Sequence, residues 1–478
     1  MIKLYDTSTR RKMNFRPLAE GRVGIYSCGP TLHDFAHIGL IRRLLAVDLL
    51  KKVLQHDGYQ VRHIVNLTDI DDKTIAESAR RGVHLDELTN QYATEFYDDM
   101  ATLRMFPADH HPRATEHVDD MVRMTGELIG MGVAYEMRRS VYFDISKFAA
   151  YGKLSRVDLS KIKSGATVDL DYYEKENPRD FTLVRRSTLG ELRRRITYKT
   201  EWGNVRPGWH IECSAMAAKY LGLPFDIHTS GQDLLFPHNE NENAIAESLS
   251  GEPMARYWMH VGLVLRDGKK MSRSAGSALT LRDLLGRGYS GSQVRYFLLH
   301  THYRRQLEFS FARLDAACKE LARFNALIKN LRQVRSGDAP SREVDEAVDE
   351  TDRDFFAALR DDLNVPKART CLLKLAKRLN KRMQAGSFSQ RDAQLALDLF
   401  YRADRILCVL DFDQHALLDD EINQLIEQRS EARASGDYAR ADALRQELQA
   451  LGVAVEDTPA GSRGRMRRLG PQGPRAGS

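Results

Sequence analysis

The most constraining feature of the sequence is a strand–turn–helix–strand run between residues 23 and 67. Val23-Gly24-Ile25-Tyr26-Ser27-Cys28 reads as a short buried strand that meets a Gly29-Pro30 turn. Beyond the turn, Ile38, Ile41, Leu45, Leu49 and Val53 recur at helical spacing until Asp57-Gly58 stops the helix. Tyr59 to Leu67 reads as a second strand. Together these make a βαβ unit, which calls for an α/β fold with a parallel sheet and a ligand site at its strand ends.

At 478 residues the chain is too long for one ordinary core, and its length suggests roughly three domains. From about Thr115 to Trp202 it is more mixed and more charged, with a polar, loop-like stretch from Lys161 to Pro178. This reads as an insertion between two halves of one fold. The second half resumes with strand-like Phe225 to His228, helix-like His238 to Leu249 and strand-like Tyr257 to Leu265. From Phe309 to Asp411, Leu, Ala, Lys and Arg at helical spacing predict a helical bundle. Two more helices are expected within Glu421–Leu451, then a short strand at Val453-Ala454-Val455 and a disordered Arg/Gly/Pro-rich tail.

Hydrophobic residues at 42% and charged residues at 29% are a soluble globular profile, and no apolar run nears the roughly 20 residues of a membrane span. The opening Met1–Asp6 lacks a signal-peptide pattern, so a cytoplasmic protein with no membrane partner is expected. Five scattered cysteines (Cys28, Cys213, Cys318, Cys371, Cys408) argue for reduced thiols. A net charge of +6 permits a polyanionic partner without demanding one.

Two short motifs carry chemistry. Ala36-His37-Ile38-Gly39-Leu40 falls where strand gives way to helix. There, free backbone N–H groups face an anion, Gly39 admits an adenine ring, and His37 can donate to an α-phosphate. A lone His-X-Gly at a helix start is otherwise ordinary structure. Lys270-Met271-Ser272-Arg273-Ser274 supplies cations that can clamp a triphosphate, and its bland reading is a solvated basic turn. The ordered pair is far more specific than either motif. It resembles the His-Ile-Gly-His and Lys-Met-Ser-Lys-Ser signatures of class I aminoacyl-tRNA synthetases, with Leu40 in place of the second histidine and Arg273 in place of the second lysine. Gly29 joins His37, Gly39, Lys270 and Arg273 as the ATP-binding set that the resemblance implies; His37, Lys270 and Arg273 are its catalytic members.

His238 and Glu242, four apart, share a helix face on which a surface ion pair is the bland reading, and Pro237 favours a helix start. Cys28 and Cys213 would complete a tetrahedral zinc set, although a buried free cysteine is the default for each. The surrounding runs are Tyr26–Thr31, Asn66–Lys73, Arg206–Met216, Phe236–Glu242 and Trp258–His260. They resemble cysteinyl-tRNA synthetases, and the match extends over nearly the whole chain. The resemblance implies Cys28, Cys213, His238 and Glu242 as ligands of one zinc ion. It also implies Thr68, Trp209, His228 and Asp233 around the amino acid, and Arg433, Asp442 and Asp457 at an anticodon. Asn239 stands where the family usually has histidine.

The expected architecture is a Rossmann-type parallel-sheet catalytic domain (1–114 and 205–308) with an inserted connective segment (115–204). A helical bundle (309–411), a small C-terminal α/β domain (412–461) and a basic tail (462–478) follow. The implied activity is ATP-dependent ligation of cysteine to cysteine tRNA by a monomer, with Mg2+ accompanying ATP. Two other readings stand beside it: a cysteine-activating paralogue with a small-molecule amine or carrier as acceptor, and a catalytically weak tRNA- or cysteine-binding regulator.

Overall fold

The structure is a computed structural model. It describes residues 1–158, 177, 179–271, 278–334, 340–385 and 388–412, and part of the remainder up to residue 466. The chain divides into two compact units, Met1–Leu410 and Asp411–Ser478.

The first unit is organised by a four-stranded parallel sheet. Its elements are β1 (Arg22–Ser27), α1 (Ile38–His56), β2 (Gln60–Val65), α2 (Trp209–Leu221), β3 (Phe225–Gly231), α3 (Glu240–Ser250) and β4 (Ala255–Val261). The spatial order is β4-β3-β1-β2. From β1 the chain moves outward to β2, and from β3 it moves the opposite way to β4. The crevice at the ends of β1 and β3 is therefore the topological switch point, where open α/β sheets bind ligands.

β3 is buried at every residue, as a parallel strand covered on both faces must be. α1 is buried nearly all round, including its charged positions Arg42, Arg43, Asp48, Lys51 and Lys52. It ends as its sequence predicts, with Gly58 at a φ of 91° that glycine adopts without strain.

Between β2 and α2 lie helices Leu85–Thr102 and Val118–Gly130 and a five-stranded antiparallel sheet. In spatial order its strands are Ala134–Met137, Ser140–Phe143, Phe181–Arg186, Gly203–Pro207 and Tyr198–Thr200. Most of the predicted Lys161–Pro178 loop lies outside the described residues. Helices Phe311–Gln333, Arg342–Arg360, Val365–Gln384 and Gln390–Leu407 close the unit around Leu321, Phe324, Phe355, Leu375 and Phe400. Asp362 ties the run before this bundle to its interior: it accepts from Tyr303 Oη at 2.6 Å and from Arg304 Nε at 2.8 Å.

The second unit contains the helix Tyr438–Ala450 and a hairpin of Val453–Thr458 with Gly461–Met466, in register Val453 to Met466. Disorder expected from residue 462 is corrected by this pairing as far as Met466. An Arg/Gly-rich run has weak strand propensity, but the partner strand satisfies its backbone. Among the described residues, no helix is long and apolar enough to cross a membrane.

Candidate functional site

Cys28 follows β1, Cys213 sits in the second turn of α2, and His238 and Glu242 flank the start of α3. Three distant stretches thus bring four donors together, and their ligand atoms all lie within 4.8 Å of one another. Pro237 does not begin the helix. Phe236 is extended (φ −136°, ψ 133°), a π-helical turn Leu235–Asn239 carries His238, and α3 starts at Glu240. That turn keeps His238 Nε2 at 3.2 Å from Glu242 Oε1.

Cys28 Sγ is 3.7 Å from Glu242 Oε1, and Cys213 Sγ is 3.7 Å from His238 Nε2. A tetrahedral zinc ion with ligand distances near 2.0–2.3 Å separates its donors by about 3.3–3.8 Å. The donor set therefore fits zinc in chemistry, and its closest contacts have that spacing. Burial pushes the Glu242 carboxyl up, but His238 and His228 more than offset it and hold it well below the usual range. Burial also opposes ionisation of Cys28, yet the hydrogen bond from Cys213 and the His228 imidazole bring its thiol well below the ordinary value. Cys213 is pushed up by that same hydrogen bond and by burial. The pair favours one proton on two sulfurs, a balance that a divalent cation shifts to two thiolates.

The surroundings orient these donors. His210 Nδ1 lies 3.0 Å from His238 Nδ1, so a ring that ligates through Nε2 donates its Nδ1–H to His210. Trp209 stacks on His238 with ring centroids 4.2 Å apart. Asn239, fully buried, donates from Nδ2 to Glu242 Oε2 at 2.6 Å and to Cys28 Sγ at 3.8 Å. Its Oδ1 accepts from Ser230 Oγ at 2.6 Å and from His260 Nε2 at 3.0 Å. Burial lowers the His260 pKa to about 3, so its ring is neutral, and Nδ1 accepts from Thr7 Oγ1 at 2.8 Å. Asn239→Ala removes the two bonds that aim Glu242 and Cys28. Zinc affinity is expected to fall roughly 10–100-fold, measured by chelator competition; an affinity within threefold of the unaltered protein would contradict this role.

The other predicted residues fall into three groups. His228 lies beneath the donors and not on a pocket wall: it is fully buried, 3.2 Å from Glu242 Oε2 and stacked on Trp258. Thr68 donates to Glu212 Oε2 at 3.0 Å. Glu212 is a buried carboxyl whose pKa is pushed well above the usual carboxylate range by desolvation and by nearby Asp71, and its own Oε1 has no protein partner. Asp233 pairs instead with Lys270, Oδ2 to Nζ at 2.7 Å, at the mouth of the crevice. Trp209, His210 and Glu212 also line a cavity of about 310 Å³, walled on its far side by Phe181, Arg185 and Arg206 of the inserted sheet.

His37 is the N-cap of α1, and its Nδ1 accepts from the N–H groups of Gly39 (3.1 Å) and Leu40 (3.2 Å). This fixes the ring proton on Nε2, the tautomer that donates to a phosphate. A Cβ on Gly39 would lie 2.9 Å from His37 Nδ1, so glycine is required by the cap itself. At Gly29 a Cβ would lie 1.5 Å from the Asn66 carbonyl oxygen, so the close approach there is to the chain's own backbone. Ile38 N–H donates to the Leu279 carbonyl at 2.8 Å, which anchors the first motif to the segment following the second. Arg273 and Arg433 lie outside the described residues, as does the side chain of Asp457; Asp442 is exposed on the helix Tyr438–Ala450.

Composition and local pattern gave no signal for Arg43 or Asp48, which reach the Cys28 carbonyl and Arg295 respectively. Glu212 and Trp258 lie inside runs that mark the site, and their contacts appear only in three dimensions.

Residues 14–319 match the model of the tRNA synthetases class I (C) catalytic domain. Residues 354–410 match the DALR domain and 415–465 the cysteinyl-tRNA ligase anticodon binding domain. The cysteine–tRNA ligase of Methanosarcina mazei is 39% identical over 466 residues, covering 96% of this chain and 98% of that protein. That of Chlamydia felis is 40% identical over 466 residues, covering 96% and 97%. Among solved structures, a leucyl-tRNA synthetase from Agrobacterium radiobacter aligns with a TM-score of 0.60 at 11% identity, over 84% of this chain and 86% of that one. A methionyl-tRNA synthetase from Mycobacterium tuberculosis aligns at 0.57 and 14%, over 81% and 90%. Such likenesses speak to the fold. The catalytic-domain match and the near-full-length identity place this chain in the cysteine–tRNA ligase family of class I aminoacyl-tRNA synthetases.

Proposed function

We propose that the protein joins cysteine to cysteine tRNA in two steps, through a cysteinyl-adenylate made from ATP and its Mg2+. The observation that carries this reading is the convergence of Cys28, Cys213, His238 and Glu242 beside the switch point of the sheet. Bound there, zinc would supply a soft Lewis acid that takes a thiolate and leaves a serine hydroxyl unsatisfied. Trp209 and the buried Glu212, with Thr68 held against it, form the pocket side facing the amino acid. His37 Nε2 donates to the α-phosphate, and Lys270 and Arg273 follow the leaving pyrophosphate. On binding, ATP competes with Asp233 for Lys270, and the freed carboxylate receives the substrate ammonium.

Arg433, Asp442 and Asp457 take anticodon base edges, a role that suits arginine and carboxylates. The protein acts as a monomer in this reading, and thiols that must stay reduced suit the cytoplasm. The test is charging of cysteine tRNA by the full-length protein with labelled cysteine. Acid-precipitable, base-labile label on the tRNA is expected. Adenylate formation with no label on tRNA, and label on a small amine instead, would overturn the acceptor.

A further inference from the structure

Two adjacent arginines on α1 differ in how they are used. Arg42 spends both terminal nitrogens on backbone: Nη1 and Nη2 donate to the carbonyls of Gly262 (2.6 Å), Arg305 (2.8 Å) and His302 (3.1 Å), among others, and its Nε is buried without a partner. Arg43 is nine-tenths buried, yet its two bonds both come from Nη2, to the carbonyls of Cys28 (2.7 Å) and Gly29 (3.3 Å). Its Nε is buried with no protein partner. A guanidinium carries five N–H donors in a fixed fork and does not deprotonate to escape burial.

The place of that fork matters. Cys28 and Gly29 end β1, whereas Gly231 and Asp233 follow the end of β3. A Cβ on Gly231 would lie 3.8 Å from Arg43 Cδ, and the Arg43 charge acts on Asp233 together with that of Lys270. The guanidinium therefore stands in the switch-point crevice, between the metal donors and the Lys270–Asp233 pair. Helical side chains lean toward the N-terminus, so Arg43 covers the turn that holds Gly39 and Leu40. Leu40 is where the resemblance calls for a second histidine, and it offers no donor.

We propose that Arg43 is a catalytic residue of this chain, supplying the donor that Leu40 lacks and binding the cysteine carboxylate and the α-phosphate as they react. In that step a carboxylate oxygen bonds to the α-phosphorus. The bond from that phosphorus to the bridging oxygen breaks, and its electron pair leaves with pyrophosphate. No proton moves. Negative charge concentrates on the non-bridging α-oxygens, which Nη1, the nitrogen that the Cys28 and Gly29 carbonyls leave free, meets with charge-assisted bonds.

The inference rests on the ligase reading, and one set of measurements separates them. Cysteine-dependent ATP–pyrophosphate exchange is measured for the unaltered protein, Arg43→Gln, Leu40→His and the double variant, with zinc content and melting temperature for each. Arg43→Gln is expected to lower kcat about 10²–10³-fold, with the KM for cysteine changing less than about fivefold and zinc retained. Leu40→His in that background is expected to restore kcat at least tenfold. Should Arg43→Gln fail to fold, Arg43→Lys serves, with a smaller loss recovered by the same second change. A kcat within threefold of the unaltered protein, loss of zinc along with activity, or no recovery by Leu40→His would overturn the role of Arg43 alone. No exchange by the unaltered, zinc-bound protein would remove the ligase reading and this inference together.

Discussion

Cys213→Ser is expected to lose bound zinc and cysteine-dependent adenylate formation together. Replacing the sulfur takes away one of four donors that are all buried and mutually within 4.8 Å. The remaining Cys28, His238 and Glu242 leave the fourth position to water, a weaker ligand, and a serine hydroxyl stays protonated where a thiolate is needed. The loss in metal affinity should exceed the roughly 10–100-fold cost of removing an outer hydrogen-bond partner, so it should surpass that of Asn239→Ala. Zinc content by atomic absorption and exchange with cysteine or serine check both halves. A variant that loses zinc but still selects cysteine over serine would separate metal from specificity and contradict the account.

The largest effect on stability is expected at Asp48. Its Oδ2 receives Lys52 Nζ at 2.7 Å and Arg295 Nη2 at 2.6 Å, and its Oδ1 receives the Phe106 N–H at 2.9 Å. Arg295 also donates to the carbonyls of Leu407 and Leu103, so this fully buried guanidinium joins α1 to the last bundle helix. Removing one partner strands the other charges in a dry interior. Asp48→Ala is therefore expected to cost about 3–5 kcal/mol, read as a fall in the calorimetric melting temperature of the full chain. A loss below about 1 kcal/mol would mean that water or repacking replaces the carboxylate. Burial raises the Asp48 pKa, but Arg295 and Lys52 more than offset it and hold it below the usual range. Its contribution is thus fully present above the unfolded carboxylate's value of about 3.9 and is lost as pH falls through the lower folded value. Asp48→Ala should accordingly lose less stability when acidified.

The βαβ frame was legible because it is local. An apolar run, a glycine turn and a 3.6-residue period define β1 and α1, and Asp57-Gly58 closes the helix where its left-handed glycine requires. The inserted segment was legible as an interruption but not as an antiparallel sheet. Its strands are three to six residues long, too short for alternation to show. The four metal donors could be named only through resemblance, since their convergence spans 214 positions from Cys28 to Glu242. His37 was read as a phosphate donor but not as a helix cap, and Gly39 as room for adenine when the cap already demands it. Asp233 was read as an amino-acid group, and the structure pairs it with Lys270. Arg43 and Asp48 carry no local mark of their roles; only tertiary packing reveals a helix buried on nearly every side.

The most direct measurement is cysteine-dependent ATP–pyrophosphate exchange by the purified, zinc-bound protein, with serine as the competing amino acid. The account predicts exchange with cysteine and discrimination against serine on the order of 10⁴-fold or more. Zinc-bound protein that shows no cysteine-dependent exchange, or that turns over serine comparably, would contradict it.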